Sequence, residues 1–443
     1  MANSRLDLVI FGATGFTGKY TVKVAAQHAK EKDFKFGIAG RRKEALQAVA
    51  KEFAPNIEDI AIIVADIDDE ESLKNMTRQA KVLVNCCGPY RFLGEAVVKA
   101  CIATNTHHID VSGEPWYMEK IQLDYNKAAQ DAGVYIISAC GFDSMPCDLG
   151  VIFTQKKFDG EINSIESYLN SSSTKPVKGA MIHYQTYASL VYGITNMKDL
   201  RPLRTKLYPE KLPTFKPKLK TRLKLYSYTC ILYKSRNINF NINYFRSFIH
   251  KSSISDGWST VFPGSDRSVT MRSQRFLYEK YKQRPVQIQT YFTMNLMMLL
   301  FMGMILLVLS KFEFGRNILL RYPSFFSLGY ISHEGPSQEA MENLHFSIIF
   351  KAKGWTEKLV DVTDKHKDPP NKEMITKVSG VNPGYGTTCI CAILSAIMIL
   401  KESDKMPDNG GVLPPGAAFA KTSLIDELIK NDVKFEVVSS MEK

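Results

Sequence analysis

The chain has 443 residues, of which 45% are hydrophobic and 23% charged, and its formal net charge is +12. At about 150 residues per domain, this length predicts two or three domains with sizeable cores. The ordinary apolar fraction excludes disordered, collagen-like and multi-span membrane classes. The segment 198–251 holds 14 Lys and Arg against two acidic residues, which equals the whole excess of the chain. We interpret this basic stretch as a solvated loop or as a patch facing an anionic surface, and no recognition motif for nucleic acid accompanies it.

The eight cysteines form no C-x-x-C pair, and no histidines stand at zinc-ligand spacing. We therefore expect neither a disulfide framework nor a metal site. The first residues include Arg5 and Asp7 and lack the apolar run of a signal peptide. These features predict a protein that stays on the cytosolic side, in a reducing compartment.

The first 150 residues alternate apolar strand patterns with helical ones, which is typical of a parallel sheet with crossover helices. Helices are predicted at 18–30, 43–53 and 94–104. Strands are predicted at six short apolar runs: 6–11, 36–39, 60–65, 82–86, 107–111 and 134–138. This pattern predicts an α/β fold with one doubly wound parallel sheet.

The pattern of apolar and polar residues changes after residue 150. A strand at 165–171 opens a second domain, and 234–253 has the composition of a polar insertion. Residues 286–310 carry no charge, and their core, 296–309, is apolar throughout except for Gly303. A second apolar patch, 318–331, is interrupted by Pro323. The remaining predicted elements are strands at 346–350, 357–362 and 435–438 and helices at 384–400 and 424–430.

A glycine-rich sequence follows the first strand and opens the first helix. Its residues are Gly12, Ala13, Thr14, Gly15, Phe16, Thr17 and Gly18. Glycines at this spacing permit a tight turn and a close approach of the backbone to a pyrophosphate, whose charge then meets free N–H groups at the helix N-terminus. The motif and its position predict a Rossmann fold that binds a dinucleotide.

The end of the second strand favours NADP over NAD. It carries Arg41 and Arg42 where an acidic residue would bind a ribose 2′-hydroxyl, and a guanidinium suits a 2′-phosphate. Asp66, at the end of the third strand, either caps the adenine amino group or starts a helix.

Residues at the carboxyl ends of the middle strands should line the ligand crevice. Asn85, Gly88, Pro89 and Tyr90 are expected beside the nicotinamide half of the cofactor. Hydride transfer to many acceptors also needs a proton donor. The candidates are Tyr90, Glu114 and Asp143, with Asp110 as a further one. Each has a structural alternative: a ring wall for Tyr90, a salt bridge for Glu114, and caps for Asp110 and Asp143.

Several spaced motifs resemble those of the animal saccharopine dehydrogenase-like oxidoreductases. They are the glycine-rich sequence, Ala39-Gly40-Arg41, Asn85–Tyr90, Asp110–Glu114, Gly141–Gly150, Phe262–Asp266 and Gly411–Phe419. The resemblance implies an NADP-type cofactor, a Rossmann domain completed by the C-terminal segment, an inserted second α/β domain, and association with lipid droplets or membranes. On this basis we expect a Rossmann domain at 1–150 plus 383–443 and a substrate domain at 151–285 plus 332–382.

The resemblance does not identify saccharopine as the substrate. Saccharopine reductases carry a Gly-Gly-x-Pro loop where this chain has 140–146, and we find no cationic clamp for three carboxylates. We expect an NADP(H)-dependent oxidoreductase acting on an apolar, lipid-like substrate. The alternative is a lipid-droplet protein that binds nucleotide without turnover. A homodimer is a further expectation.

The segment 286–331 is expected to be a membrane or lipid-droplet anchor, and the alternative is a helix buried in the protein core. Fourteen firmly apolar residues are too few for a bilayer core that needs about 20. Basic residues on both flanks suit the headgroups of one leaflet. The pattern therefore predicts a monotopic anchor that dips into a monolayer, with both domains cytosolic.

Overall fold

The computed structural model describes residues 5–176, 179–195, 197–221, 249–252, 254–255 and 257–442. Most of the predicted polar insertion at 234–253 and half of the basic stretch lie outside these residues. The strands of the described residues are β1 Leu6–Phe11, β2 Phe36–Gly40, β3 Ala61–Val64, β4 Ala80–Asn85, β5 His107–Asp110, β6 Tyr135–Ile137, β7 Glu161–Ser173, β8 Ile182–His183, β9 His250–Lys251, β10 Trp258–Val261, β11 Gln287–Met294, β12 Ile331–Ser332, β13 Leu344–Trp355, β14 Lys372–Val381, β15 Gly411–Leu413 and β16 Lys434–Glu442.

The same described residues also form α-helices. They are α1 Phe16–Ala29, α2 Lys43–Phe53, α3 Glu70–Thr77, α4 Tyr90–Ala103, α5 Pro115–Asp131, α6 Met145–Lys157, α7 Tyr184–Thr195, α8 Met197–Leu207, α9 Asp266–Tyr281, α10 Leu296–Leu309, α11 Glu313–Arg321, α12 Pro323–Phe326, α13 Gln338–Asn343, α14 Thr388–Lys401, α15 Pro415–Ala418 and α16 Leu424–Lys430. One π-helical turn, Pro383–Thr387, leads into α14.

The first sheet is parallel throughout, in the order β15-β6-β5-β4-β1-β2-β3. Side chains on β1 alternate between two hydrophobic clusters, as the pleat of a strand requires. Leu8 and Ile10 pack with the α1 and α14 side, whereas Val9 and Phe11 pack with α3, α4 and α5. Both faces are covered, and the predicted doubly wound Rossmann-like fold is confirmed.

The second sheet is mixed, in the order β16-β14-β13-β7-β11-β10-β9, with β7 and β11 parallel. Helices α6 and α9 lie against it, and α6 approaches so closely that a side chain at Gly150 would meet the Phe350 ring. The C-terminal strand β16 pairs with β14 here. Including 434–442 in the Rossmann domain was therefore wrong, although α14 and β15 do pack with the first sheet.

Two further predictions need correction. Residues 357–362 form bends and turns instead of a strand, and β13 pairs with β7 and β14. The uncharged run 286–310 is not one lipid-facing segment, because its first half is β11, a largely buried strand of the second sheet. The apolar helix begins only at Leu296. The polar residues of β11 are uncharged glutamines and threonines. No charged residue therefore marks the point where the strand ends and the apolar helix begins.

A third body, which we call the apolar module, consists of α7, α10, α11, α12 and the β8–β12 pair. Its own small core contains Tyr187, Val191, Leu319 and Ile331. The outer face of α10 is exposed, and Leu299 is its one buried residue. Further exposed apolar side chains follow on α11, α12 and the adjoining turns. The most exposed of the module are Met297, Phe314, Phe325 and Leu328, at 63–77%.

Candidate cofactor and active site

The glycine-rich loop forms a cradle that leaves no room for side chains at two positions. Gly12 has φ +79°, and a Cβ there would lie 2.6 Å from Cys87 Sγ. A Cβ on Gly18 would lie 2.1 Å from the Gly12 carbonyl oxygen. Gly15 donates its N–H to that oxygen at 2.9 Å and stands at the N-cap position of α1, and no described side chain caps this helix. The N-terminus of α1 can therefore accept a phosphate.

The rest of the loop agrees with this reading. Ala13 is buried, whereas Thr14 is exposed beside the helix start, and Thr17 accepts the Thr21 hydroxyl through its carbonyl at 3.0 Å. The Phe16 ring contacts aromatic side chains of other elements, His183 and Tyr385.

Arg41 and Arg42 follow β2, and both are exposed. Within the described chain neither forms an ion pair with an acidic residue, and a free guanidinium is what a 2′-phosphate requires. Asp66 lies in the turn after β3 and accepts the Asp68 N–H at 3.3 Å. The cap of α3 is Asp69, so the helix-starting alternative for Asp66 was wrong.

The turn after β4 is held by Asn85, which is fully buried. Its Oδ1 accepts the Cys87 N–H at 2.9 Å, and its carbonyl accepts the Tyr90 hydroxyl at 2.9 Å. A cis peptide bond joins Gly88 to Pro89 at the start of α4. Burial raises the pKa of Tyr90 well above its usual value. With its hydroxyl committed to a backbone carbonyl, Tyr90 is unsuited to donate a proton to substrate, and the geometry favours its structural alternative.

Glu114 caps the N-terminus of α4, which begins 24 residues earlier in the chain. Its two carboxylate oxygens accept the N–H groups of Tyr90 and Arg91, each at 3.0 Å, and Oε1 also accepts the Ser189 hydroxyl at 3.2 Å. A carboxylate at a helix N-terminus is favoured by the helix dipole. The predicted salt bridge is thus a helix cap, and Glu114 is not placed as a proton donor.

Asp110 holds the ends of β5 and β6 together. Oδ1 accepts the backbone N–H of Ser112 at 2.9 Å, and Oδ2 accepts the hydroxyls of Ser138 at 2.8 Å and Tyr117 at 3.1 Å. Burial raises its pKa to about 6. This side chain is also fully used within the fold.

Asp143 differs from the other three candidates. It lies in the turn after β6, between two glycines: a Cβ on Gly113 would be 2.1 Å from Asp143 Oδ2, and one on Gly264 would be 3.1 Å from Oδ1. The following residue, Ser144, has φ +103°, a strained conformation for a residue other than glycine. Burial raises the pKa of Asp143 to about 6 despite hydrogen bonding from Ser265.

A second carboxyl belongs to this site and was missed. Asp266 at the start of α9 is 4% exposed, and its pKa is raised well above the usual value by burial and by the nearby charge of Asp143. The hydroxyls of Ser144 and Ser265, beside the two acids, are 2.7 Å apart. Asp266 stands in a motif that the sequence displays, but nothing in the sequence indicates that α9 packs against the turn after β6.

Comparisons with known proteins bear on the fold and on the cofactor. Residues 8–137 match the family described as "Saccharopine dehydrogenase NADP binding domain". The "Saccharopine dehydrogenase-like oxidoreductase" of Homo sapiens is 38% identical over 98% of both chains. The "Lipid droplet localized protein" of Caenorhabditis elegans is 33% identical over 98% of this chain and 99% of its own. Among solved structures, saccharopine dehydrogenase (L-Glu forming) from Saccharomyces cerevisiae covers 98% of this chain and 100% of its own with a TM-score of 0.54 at 15% identity, which supports the fold. The cofactor is NADP(H), and the cradle and free guanidinium groups fit it.

Proposed function

Since the chain belongs to the saccharopine dehydrogenase-like oxidoreductase family, we propose that it is an NADP(H)-dependent reductase of an apolar, lipid-like substrate at the surface of a lipid droplet or membrane. One observation carries the proposal. The broad exposed apolar face of the module belongs to the same body whose α7 touches the Glu114 carboxylate at the edge of the cofactor crevice. The module therefore connects the proposed lipid contact with the edge of the crevice.

Binding of the cofactor is assigned to the glycine-rich loop and to the end of β2. The free N–H groups at the start of α1 would hold the pyrophosphate, and Arg41 with Arg42 would hold the 2′-phosphate. NADPH, when bound, supplies a hydride. The chain must then supply a proton wherever the reduced bond is C=O, C=N or a polarised C=C.

Asp143 is the residue that we assign to hold this proton. Its carboxyl is neutral below a pKa of about 6 and lies at the carboxyl edge of the parallel sheet, where such folds bind ligands. Asp266 beside it disfavours ionisation of both groups, as in other carboxyl pairs that share a site. The side chains of Tyr90, Asp110 and Glu114 hold the backbone around the crevice in place through hydrogen bonds.

Contact with lipid is assigned to the apolar module as a monotopic anchor. A helix of 14 residues such as α10 is about 21 Å long at 1.5 Å per residue, short of the roughly 30 Å of a bilayer core. Lys311, Arg316 and Arg321 follow it and suit anionic headgroups. The name of the Caenorhabditis elegans relative, a lipid droplet localized protein, agrees with such a location.

The test is NADPH consumption by the purified full chain on phospholipid vesicles that carry fractionated cellular lipids. We expect one lipid fraction to be reduced, with a rate that falls as the pH rises through about 6, because a proton donor must be protonated. Asp143→Asn should lose that rate and still bind NADPH, whereas Asp131→Asn on the surface of α5 should not change it.

Two results would argue against the proposal. NADPH binding without consumption in every lipid fraction would favour the alternative, a nucleotide-binding protein without turnover. Full activity of Asp143→Asn with an unchanged pH profile would remove Asp143 from the mechanism.

A further inference from the structure

The apolar module rests directly on the glycine-rich loop. The Phe16 ring stacks on the imidazole of His183 in β8, with centroids 4.9 Å apart and planes at 25°. On another side it packs edge-on against Tyr385 at 4.6 Å. Phe16 lies inside the loop that is assigned to the pyrophosphate, so this contact joins the module to the cofactor site itself.

The contact is close and shaped for its place. Gly335, just after β12, has φ +78°, and a Cβ there would lie 2.9 Å from the Phe16 ring and 3.0 Å from the His183 ring. The His183 backbone N–H donates to the Tyr385 hydroxyl at 3.0 Å. A side chain at 335 would require the Phe16 or His183 ring to shift.

Hydrogen bonds and side-chain packing join the same strands to the helices of the apolar module. Ile331 of β12 accepts the Ser324 hydroxyl through its carbonyl at 2.8 Å and donates its N–H to the Ser327 hydroxyl at 2.9 Å. Its side chain is buried in the module core with Leu319 of α11. β12 in turn pairs with β8, where Ser332 stands opposite His183.

A second joint lies at the other end of the crevice. The Ser189 hydroxyl on α7 donates to the Glu114 carboxylate, which caps α4 beside the turn at 85–89. Phe92 of α4 also packs edge-on against Tyr192 of α7 at 5.7 Å. The module therefore touches both elements between which the cofactor would lie.

We propose that lipid binding by the module and NADPH binding are coupled through the Phe16–His183 contact, each strengthening the other. The inference rests on the proposed function, since it assumes that the module binds lipid. A module fixed against a lipid surface holds His183 and Phe16 in place, so NADPH meets a loop whose ordering has already been achieved. By linkage, NADPH must then strengthen lipid binding by the same factor.

The experiment measures the NADPH dissociation constant by fluorescence titration, with and without vesicles of phosphatidylcholine and phosphatidylserine. We expect vesicles to lower it by about fivefold or more, the lower range of typical couplings. Flotation of the same vesicles should give an equal gain in vesicle affinity when NADPH is present.

His183→Ala should retain both binding reactions and abolish the mutual gain. His345→Ala, the same change on β13 outside the module, should keep the gain and serves as the control. Thermal unfolding of each variant checks that it folds.

The outcomes separate the two proposals. If the unmutated chain binds both NADPH and vesicles, and neither affects the other, the coupling is wrong and the proposed function stands. A coupling that survives His183→Ala would remove this contact from the route. If the chain binds NADPH but not vesicles, the lipid-surface part of the proposed function fails, and the coupling fails with it.

Discussion

Two helices of this chain are equally long and mainly apolar, but they have opposite surroundings. In α14, eleven of 14 residues are buried, among α1, β4, β5 and α16. In α10, also of 14 residues, Leu299 alone is buried. Among the described residues, Pro383–Lys401 is the one helical stretch with the length and composition of a membrane span, and it lies mostly inside the fold. Apolar composition therefore predicts that a helix avoids water but does not say what replaces the water.

Details of the two sequences do point to the difference. α14 carries four small residues on one face, Cys391, Ala392, Ser395 and Ala396, which allow neighbouring elements to approach closely there. α10 carries long, flexible methionines and leucines, and cations follow it. The small residues of α14 suit a tightly packed core, and the long, flexible side chains of α10 suit contact with lipid.

The largest effect should come from placing a charge in the buried helix. Ile393 is fully buried, so Ile393→Lys would leave an unpaired charge in the core and destabilise the fold by more than about 4 kcal/mol. We expect loss of soluble folded protein, measured by yield and by urea unfolding. Met304→Lys in α10 starts from a side chain that is 53% exposed and should leave the unfolding midpoint nearly unchanged. Similar midpoints for both variants would contradict the comparison.

The exposed helix should matter for lipid instead of for stability. The triple variant Met297→Ser, Phe301→Ser, Met304→Ser removes three exposed apolar side chains. At about 1.5–3 kcal/mol for each side chain that enters lipid, vesicle affinity should fall by roughly a thousandfold or more. A matched triple on β16, Val437→Ser, Val438→Ser, Met441→Ser, should bind vesicles like the unmutated chain. Equal losses of vesicle affinity in the two triple variants would mean that lipid binding does not depend on α10 in particular.

The proposed NADPH site lies in the Rossmann domain, which contains the buried helix α14. NADPH binding should therefore respond to a change at the end of β2 and not to a change in α10. Arg41→Asp replaces a free cation with a charge that repels a 2′-phosphate, and should weaken NADPH binding by roughly ten- to a hundredfold. Lys51→Asp, at the far end of α2, makes the same charge change away from the site. Without NADPH, both variants should bind vesicles normally. Titrations in which the unmutated chain binds NAD and NADP equally well would refute the role of Arg41.

How much the sequence could predict depends on how local each cause is. The bounds of β1 and α16 agree with prediction, because apolar runs and turn residues decide them locally. The strand predicted at 357–362 and the undivided run 286–310 were wrong, because pairing partners decide where a strand exists. In the site, the glycine cradle was predictable from spacing. That Glu114 caps α4, or that Asp266 faces Asp143, depends on tertiary packing that no local pattern encodes.

The smallest effect should come from two glycines that distinguish open from filled surroundings. Around Gly303 in α10, a Cβ would meet nothing in the described chain within 4 Å. Gly303→Ala should therefore stabilise the protein by about 0.4–1 kcal/mol, because alanine reduces the freedom of the unfolded chain. Around Gly150 in α6, a Cβ would lie 2.3 Å from the Phe350 ring, so Gly150→Ala should destabilise by about 1–3 kcal/mol. Urea unfolding of both variants measures the signs. A loss of stability in Gly303→Ala would mean that α10 packs against protein, and the helix would then have to be regarded as a second core helix like α14.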